Sequence, residues 1–452
     1  MITLKYNVDH FLKTEIVMSL IKLTLKKQNG CDRAEYFGSG YIFRNANGAL
    51  FVKLIGEYSQ AQGSTTALME LLDTHNVETG EIIDKQHYYS MIATDISGEE
   101  WRSDNVWLTD DSVYGEKGFT IIGKINEAIV GVYKNYTEVK KSYATVVTRS
   151  GYNLPWNERI EEGGASYFGV CDLSDVEIKI RVKKNDTYNE IYVEIGDHDD
   201  LPLMVSLILE ALSIGVGVFI EPLLVEFFSG IEIVGRIYPQ KQTSEIQLFP
   251  PFPVKAPGDA IFLQQFIKGY LRNINERYSS LFGYWYRFYK VENNEIENQA
   301  LVITTCIEGV LKKYYNRFSK VDSVFLDIMA HTIKEIKASD IVMDKRAMDA
   351  IKSILINANN KAFNTQNTLY ELQKIGLIEK ELIKSWKAIR HKSHHAGELK
   401  FNKKDFQDFY ADIISCLELF YTLIIGITGE ELVCYEYSKK GASTRIIKHN
   451  ID

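Results

Sequence analysis

None of the 8 prolines lies beyond Pro257, so the C-terminal part of this 452-residue chain lacks the strongest breaker of helices. Cysteine is scarce as well. Cys31, Cys171, Cys306, Cys416 and Cys434 form an odd, scattered set with no C-x-x-C pair. That argues against a zinc ribbon and a disulfide scaffold, and for a reducing compartment. A long uninterrupted apolar run is also missing. "LPLMVSLILEALSIGVGVFIEPLLVEFF", residues 201–228, comes nearest, but Glu210, Glu221 and Glu226 interrupt it and Pro222 breaks it. A carboxylate at mid-bilayer costs about 2.5–3.5 kcal/mol, so a buried helix followed by a buried strand is expected there, with no membrane partner. The opening "MITLKYNVDHFLKTEIV" has neither a basic start leading into an apolar block nor a small-residue cleavage site, which predicts a cytoplasmic protein.

What is present is ordinary globular material, 45% hydrophobic and 25% charged, which excludes disorder and collagen-like repeats. The length implies more than one core. Four prolines crowd into "PPFPVKAP", at Pro250, Pro251, Pro253 and Pro257, and most of the 30 glycines precede them. The main boundary belongs there. Before it, runs such as "YATVVTR", "VEIKIRV" and "EIYVEIG" read as strands between turns, and "NANG" inside "YIFRNANGALFVKLIG" predicts a hairpin. After it the period is helical. Ile303, Ile307, Val310, Leu311, Tyr314 and Phe318 follow i, i+3, i+4, i+7 spacing, and a stripe from Phe406 through Phe409, Ile413, Leu417 and Phe420 to Ile424 fills residues 402–427. Further helices are expected over 322–338, 345–357, 366–375 and 379–396. The expected fold is α+β, a β-rich N-terminal half followed by an all-α helical bundle. Its expected parts are a β-rich domain over 1–117, an α/β regulatory or sensor domain over 118–254, a linker and connecting helix over 255–290, a helical domain over 291–428 and a tail over 429–452.

Charge divides with the pattern. Residues 256–452 carry 28 Lys and Arg against 24 Asp and Glu, a net of +4, while residues 1–255 carry 24 against 36, a net of −12. The basic density peaks at Lys384, Lys387, Arg390, Lys392, Lys400, Lys403 and Lys404, opposed by Glu398 alone. These lysines are candidate contacts for a polyanion. The acidic half suits a protein partner.

Three motifs lead elsewhere. "GFTIIGKI", 118–125, has phosphate-loop spacing, but Ile125 stands where Ser or Thr must hold magnesium, and the segment reads as a strand. "GDHDD", 196–200, precedes a helix and suits its N-terminal cap better than a metal. The aromatic run "LFGYWYRFYK", 281–290, reads as core or interface rather than as a stacking platform for bases.

"RHKSHH", 390–395, carries the chemistry. In a helix from 379, Leu382, Ile383, Trp386 and Ile389 form the buried stripe, and Arg390 falls four residues after Trp386, on the same inward face. A guanidinium turned towards a core requires an anion or a shared cleft. His395 lies roughly 140° around an ideal helix from Arg390, so both meet one substrate only if the helix ends between them, and Ala396-Gly397 is a credible end. Three readings stand: polar residues at a helix C-terminus, a metal site built on His391 with His394 or His395, and metal-independent nuclease chemistry. In the last, a histidine moves the 2′-hydroxyl proton and an arginine holds the phosphate.

The segment resembles the R-x(4–6)-H signature of HEPN ribonucleases, set late in a proline-free helical stretch with one long helix after it. "TTCIEGVLKKYY", 304–315, resembles the first long helix of such domains, with Glu308 positioned to face the cleft. The layout is similar to that of ApeA-type bacterial anti-phage proteins. The resemblance implies a homodimer whose paired motifs form one cleft, no metal and no cofactor, and cleavage of RNA, such as tRNA, to a 2′,3′-cyclic phosphate and a 5′-hydroxyl. Arg390 would bind the phosphate and His395 act as general acid or base. His391 and Glu308 would support them. His394 shares a face with Arg390, which leaves the acting histidine open between His394 and His395. The expected role is a toxic effector of abortive infection, released when the N-terminal half meets a phage protein. The alternative is a non-catalytic HEPN-like module for RNA binding or dimerisation.

Overall fold

The structure, a computed structural model, describes residues 16–28, 35–57, 61–62, 88–109, 112–114, 117–134, 142–162, 165–196, 200–229, 232–240, 246–276, 279–319, 364–394, 403–439 and 443–447, with isolated positions at 8, 328, 331–332, 334–336, 346 and 353. It is α+β. The chain forms two compact units, one of Met1–Val205 with Ile220–Glu245 and the other of Ser206–Phe219 with Ile246–Asp452.

The first unit is built on antiparallel strands: β1 (Ile16–Lys27), β2 (Glu35–Arg44), β3 (Leu50–Glu57), β4 (Ala61–Gln62), β5 (Tyr89–Asp95), β6 (Glu100–Leu108), β7 (Val113–Tyr114) and β8 (Gly118–Ile125). The strands continue with β9 (Ala128–Lys134), β10 (Ser142–Arg149), β11 (Glu158–Glu162), β12 (Ala165–Asp172), β13 (Ile178–Lys184), β14 (Tyr188–Ile195), β15 (Pro222–Ser229) and β16 (Glu232–Ile237). Pairing runs β6–β5–β1–β2–β3–β8 and returns to β6, so these strands close a barrel. From β6 the sheet continues through β9, β16, β15, β10, β14, β13 and β12 to β11. Alternation sets the inside: Val52 and Leu54 point into the core with Leu23, Leu25, Ile42, Met91, Trp101 and Ile121. The expected hairpin forms at Asn45–Ala49. Asn45 Oδ1 accepts from the amides of Asn47 and Ala49, and Gly48 adopts φ 75° while its amide donates to Asn45 O.

The cut expected near residue 118 falls inside this barrel. β8 pairs with β3 from Glu57↔Gly118 to Leu50↔Ile125, and Val113–Tyr114 of the polar stretch before it is strand β7, paired with β8. "GFTIIGKI" is strand β8, as its pattern predicted.

Helix α1 (Leu201–Val216) follows Asp200, whose Oδ1 accepts from Leu203 N at 2.9 Å in the capping arrangement. Asp197, His198 and Asp199 lie outside the described residues. With β15 after it, the apolar run is the buried helix and strand that its interrupting carboxylates implied. Glu210 is buried in the second unit, where Tyr270 OH donates to its Oε2 at 2.8 Å and Ser279 Oγ at 3.1 Å.

The second unit holds α2 (Ala260–Asn273), α3 (Ser280–Val291), α4 (Ile296–Tyr314), α5 (Thr365–Lys374), α6 (Lys380–His394) and α7 (Lys403–Thr428), then a hairpin of β17 (Leu432–Glu436) and β18 (Ser443–Ile447). Capping starts two of the helices: Ser279 Oγ accepts from Phe282 N, and Asn364 Oδ1 from Asn367 N. Two expectations are corrected. Residues 255–290 are not a linker, because α2 and α3 bury Leu263, Phe266, Tyr270, Trp285 and Phe288, and the aromatic run is core. Within the expected tail, Leu432–Glu436 and Ser443–Ile447 form a hairpin. Tyr435 N donates to Pro251 O at 2.9 Å and Arg445 Nη2 to Thr422 Oγ1 at 2.8 Å, so the hairpin is tied to the proline segment and to α7. At the end of α4 the buried ring is Tyr315, with its OH donating to Leu423 O, and Tyr314 is only half-buried. The helices expected over 322–338 and 345–357 lie mostly outside the described residues. Residues Lys404–Thr428 of α7 are long and apolar enough to cross a membrane by length and composition, but 78% of their most apolar window is buried within the protein.

Candidate functional site

Helix α6 packs against α4 and α7. Leu382, Ile383, Trp386 and Ile389 are buried along it, which is the stripe read from the sequence. Glu381 in the first turn suits the positive end of the helix dipole, and Arg390 stands near the opposite end, where positive charge is favoured.

Arg390 lies on the margin of that stripe rather than inside it. Its side chain is 48% exposed, and its Nε donates to Glu308 Oε1 of α4 at 2.5 Å. The guanidinium carbon sits 5.4 Å from the centroid of the Trp386 ring, on the preceding turn. A carboxylate on one side and an indole on the other fix the direction of the guanidinium, which is the geometry an arginine needs to meet a phosphate in a set orientation. The anion required by an arginine beside a core is therefore Glu308, brought from 82 residues away in sequence.

The remaining candidates divide by position. His391 and Lys392 are exposed, and Lys392 Nζ lies 5.3 Å from the Phe409 ring centroid of α7. Lys387 Nζ donates to Tyr370 OH of α5 at 2.7 Å, which adds to the cluster a tyrosine that its sequence pattern did not single out. Lys384 is exposed, 3.7 Å from Glu381, and Lys404 is exposed at the start of α7. The backbones of His394 and Lys403 are helical but their side chains lie outside the described residues, and His395 and Lys400 lie outside them altogether. The structure thus brings together Arg390, Glu308 and Trp386, while Lys387 reaches Tyr370 of α5 and Lys392 the Phe409 ring of α7.

Nearby cysteine does not offer a nucleophile. Burial pushes the Cys306 thiol of α4 up to about 12, so it stays protonated at neutral pH, and burial likewise raises Cys171, Cys416 and Cys434. Among the described residues, no group of three or more His, Cys, Asp or Glu side chains is disposed to hold a metal ion.

No protein-family model, no curated protein and no solved structure matches this chain. The functional argument accordingly stands on the residues. An exposed, oriented guanidinium can hold an anion.

Proposed function

We propose that the second unit is a metal-independent RNA endonuclease of the HEPN type, acting as a cytoplasmic toxic effector in anti-phage defence when the N-terminal half meets its trigger. The observation that supports this most is the Glu308–Arg390 pair. It joins the helix that resembles the first long HEPN helix to the arginine of the R-x(4–6)-H sequence, at the basic end of α6. In this reading the Arg390 guanidinium binds the scissile phosphate and stabilises the charge that grows on its oxygens. One histidine, His394 or His395, takes the proton of the 2′-hydroxyl, and the 2′-oxygen attacks phosphorus. The 5′-oxygen leaves with a proton, giving a 2′,3′-cyclic phosphate and a 5′-hydroxyl. Glu308 holds Arg390 in position, and Lys384, Lys387, Lys392 and Lys404 attract the RNA backbone. The resemblance adds a homodimer that pairs two such motifs, with tRNA or other cellular RNA as substrate.

The test is cleavage of total cellular RNA by purified full-length protein in EDTA, with Arg390→Ala, His394→Ala and His395→Ala beside wild type. Cleavage lost with Arg390→Ala and with one of the histidine variants supports the reading, and identifies the histidine. Cleavage unaffected by all three changes overturns it. One feature favours a second reading: Arg390 already has a carboxylate partner, as a purely structural ion pair would. A non-catalytic RNA-binding or dimerisation module predicts that RNA binds, weakens with salt, and is never cut.

A further inference from the structure

The hairpin of β17 and β18 is seated on α7 through charged groups that do not balance. A two-stranded hairpin of this length is marginal by itself, so its place depends on what it touches. It buries Leu432, Cys434 and Ile447, while Tyr435 N donates to Pro251 O and Tyr437 OH to Pro250 O. Towards α7 and the start of α6 its contacts are polar. Lys439 pairs with Glu436 of its own hairpin and, at 3.3 Å, with Glu379, which immediately precedes α6. Arg445 Nη1 lies 3.6 Å from the same Glu379 carboxylate, and its Nη2 donates to Thr422 Oγ1 of α7 at 2.8 Å.

Among the described residues this cluster holds two cations, Lys439 and Arg445, against three carboxyls, Glu379, Glu436 and Glu418. Glu379 and Glu436 take up both cations. Glu418 of α7 is left with the least. Its side chain is 0% exposed, Ser438 N donates to its Oε2 at 2.8 Å, and Arg445 Nη2 stands 4.0 Å from Oε1, which has no hydrogen-bond partner among the described residues. A carboxylate sealed from water, with one amide donor and a guanidinium committed elsewhere, does not recover its desolvation. A neutral carboxylic acid there leaves two charges of each sign. Helix α7 also packs against α2, α4 and α6, so the hairpin is the part that can move to readmit water to an ionised Glu418.

We propose that the C-terminal hairpin is a proton-held clasp, seated on α7 while Glu418 carries a proton and lifting away when that proton is lost. The direction follows from linkage. Burial, joined by the Glu379 charge, raises the Glu418 carboxyl in the seated form against the opposing pull of Ser438 and Arg445. A lifted hairpin returns it to water and to its ordinary value. Seating is therefore full below that ordinary value and weakens as pH rises through the seated one. The other groups facing Glu418 do not titrate beside it. Burial pushes the Cys434 thiol up to about 12 and raises the Tyr437 phenol as well, and Lys439 is raised by its bond to Glu436 and stays charged. Glu436, which burial alone would raise, is brought below its ordinary value by Lys439, Ser443 and Arg445, so it ionises before Glu418 does.

Hydrogen exchange of the full-length protein tests the clasp without reference to nuclease activity. It is followed by mass spectrometry from pH 5 to 8 and corrected for the intrinsic pH dependence of amide exchange, with β3 as the internal reference. In wild type the protection of the hairpin should fall at least about threefold across this range relative to β3. In Glu418→Gln, which cannot ionise, it should stay level. In Glu379→Gln, whose missing charge no longer raises Glu418, the fall should move to lower pH. Circular dichroism checks that each variant is folded, and because the Glu379 side chain is 33% exposed its variant serves if Glu418→Gln does not fold. Level protection in wild type overturns the proposal. So does an equal fall in Glu418→Gln, or a fall that does not move in Glu379→Gln.

Discussion

In the barrel the closest approaches are between two backbones: a Cβ placed on Gly40 would sit 1.8 Å from the carbonyl oxygen of Lys53. In the helical unit, a Cβ on Gly309 of α4 would meet ring atoms of Tyr284 on α3 at 2.4 Å, so there the neighbour is a side chain. A carbonyl held in a strand ladder cannot retreat without breaking the ladder, whereas a half-buried tyrosine can turn about its own torsions. The contact at Gly40 therefore admits little change and the one at Gly309 can adjust, although the second unit has backbone contacts too, as at Gly269, where a Cβ would meet Thr428 O at 2.5 Å.

Substitutions at these contacts give the sharpest way to break the comparison. Gly40→Ala should have the largest effect, a loss of about 3 kcal/mol or more in urea unfolding, because the added methyl meets backbone. A loss below about 1 kcal/mol would show that the barrel yields as the helices do. Tyr270→Phe comes next. It removes one donor from the buried Glu210 carboxylate and leaves Ser279, and should cost about 1–3 kcal/mol by the same measurement. Gly309→Ala should cost about 1 kcal/mol or less, since overpacking against Tyr284 is partly offset by the better helix propensity of alanine. Adding Tyr284→Ala should remove the coupling, which a double-mutant cycle reads directly.

The smallest effect concerns pH. Burial raises the Glu418 carboxyl above its ordinary value, despite Ser438 N donating to Oε2 at 2.8 Å and Arg445 at 4.0 Å. A carboxyl raised on folding binds its proton more tightly in the native state. Its contribution is full below the unfolded pKa and is lost as pH rises through the folded one. Glu436, on the neighbouring hairpin, has the opposite sign: burial alone would raise it, but Lys439, Ser443 and Arg445 bring it below its ordinary value. Its contribution is present above the unfolded pKa and disappears as pH falls. The two oppose each other in wild type, so the effect of Glu418 is isolated by comparison with Glu418→Gln. From about pH 4 upwards, wild type should lose stability relative to that variant. A constant difference across the titration would place the Glu418 proton equilibrium where it stands in the unfolded chain.

Much of the architecture was legible because it is local. The "NANG" turn, the strand character of "GFTIIGKI" and the stripe of Leu382, Ile383, Trp386 and Ile389 each follow from a few adjacent residues. The closure of the barrel was not legible, since it depends on Trp107 pairing with Lys124 and Leu108 with Gly123, strands that are not consecutive. The hairpin of Leu432–Glu436 and Ser443–Ile447 was not legible for the same reason: Arg445 finds its partner Thr422 only once α7 is in place. At the candidate site, period put Arg390 on the inward face. Tertiary packing leaves its head at the margin, because Glu308 and the Trp386 ring offer a charged side chain more than the core does.

By itself the sequence determined the α+β division at the proline cluster, the period of each element and the placement of Arg390 near one helix end. These are properties of short stretches, set by backbone sterics and by the spacing of apolar side chains. Only the tertiary structure decided that the barrel closes through β6 and β8, that Glu308 is the residue facing Arg390, and that Ile21, Phe37 and Ile55 line one recess with Lys22 and Glu57. Such pairings join positions far apart in the chain, and their free energy depends on which surfaces meet once the elements have formed.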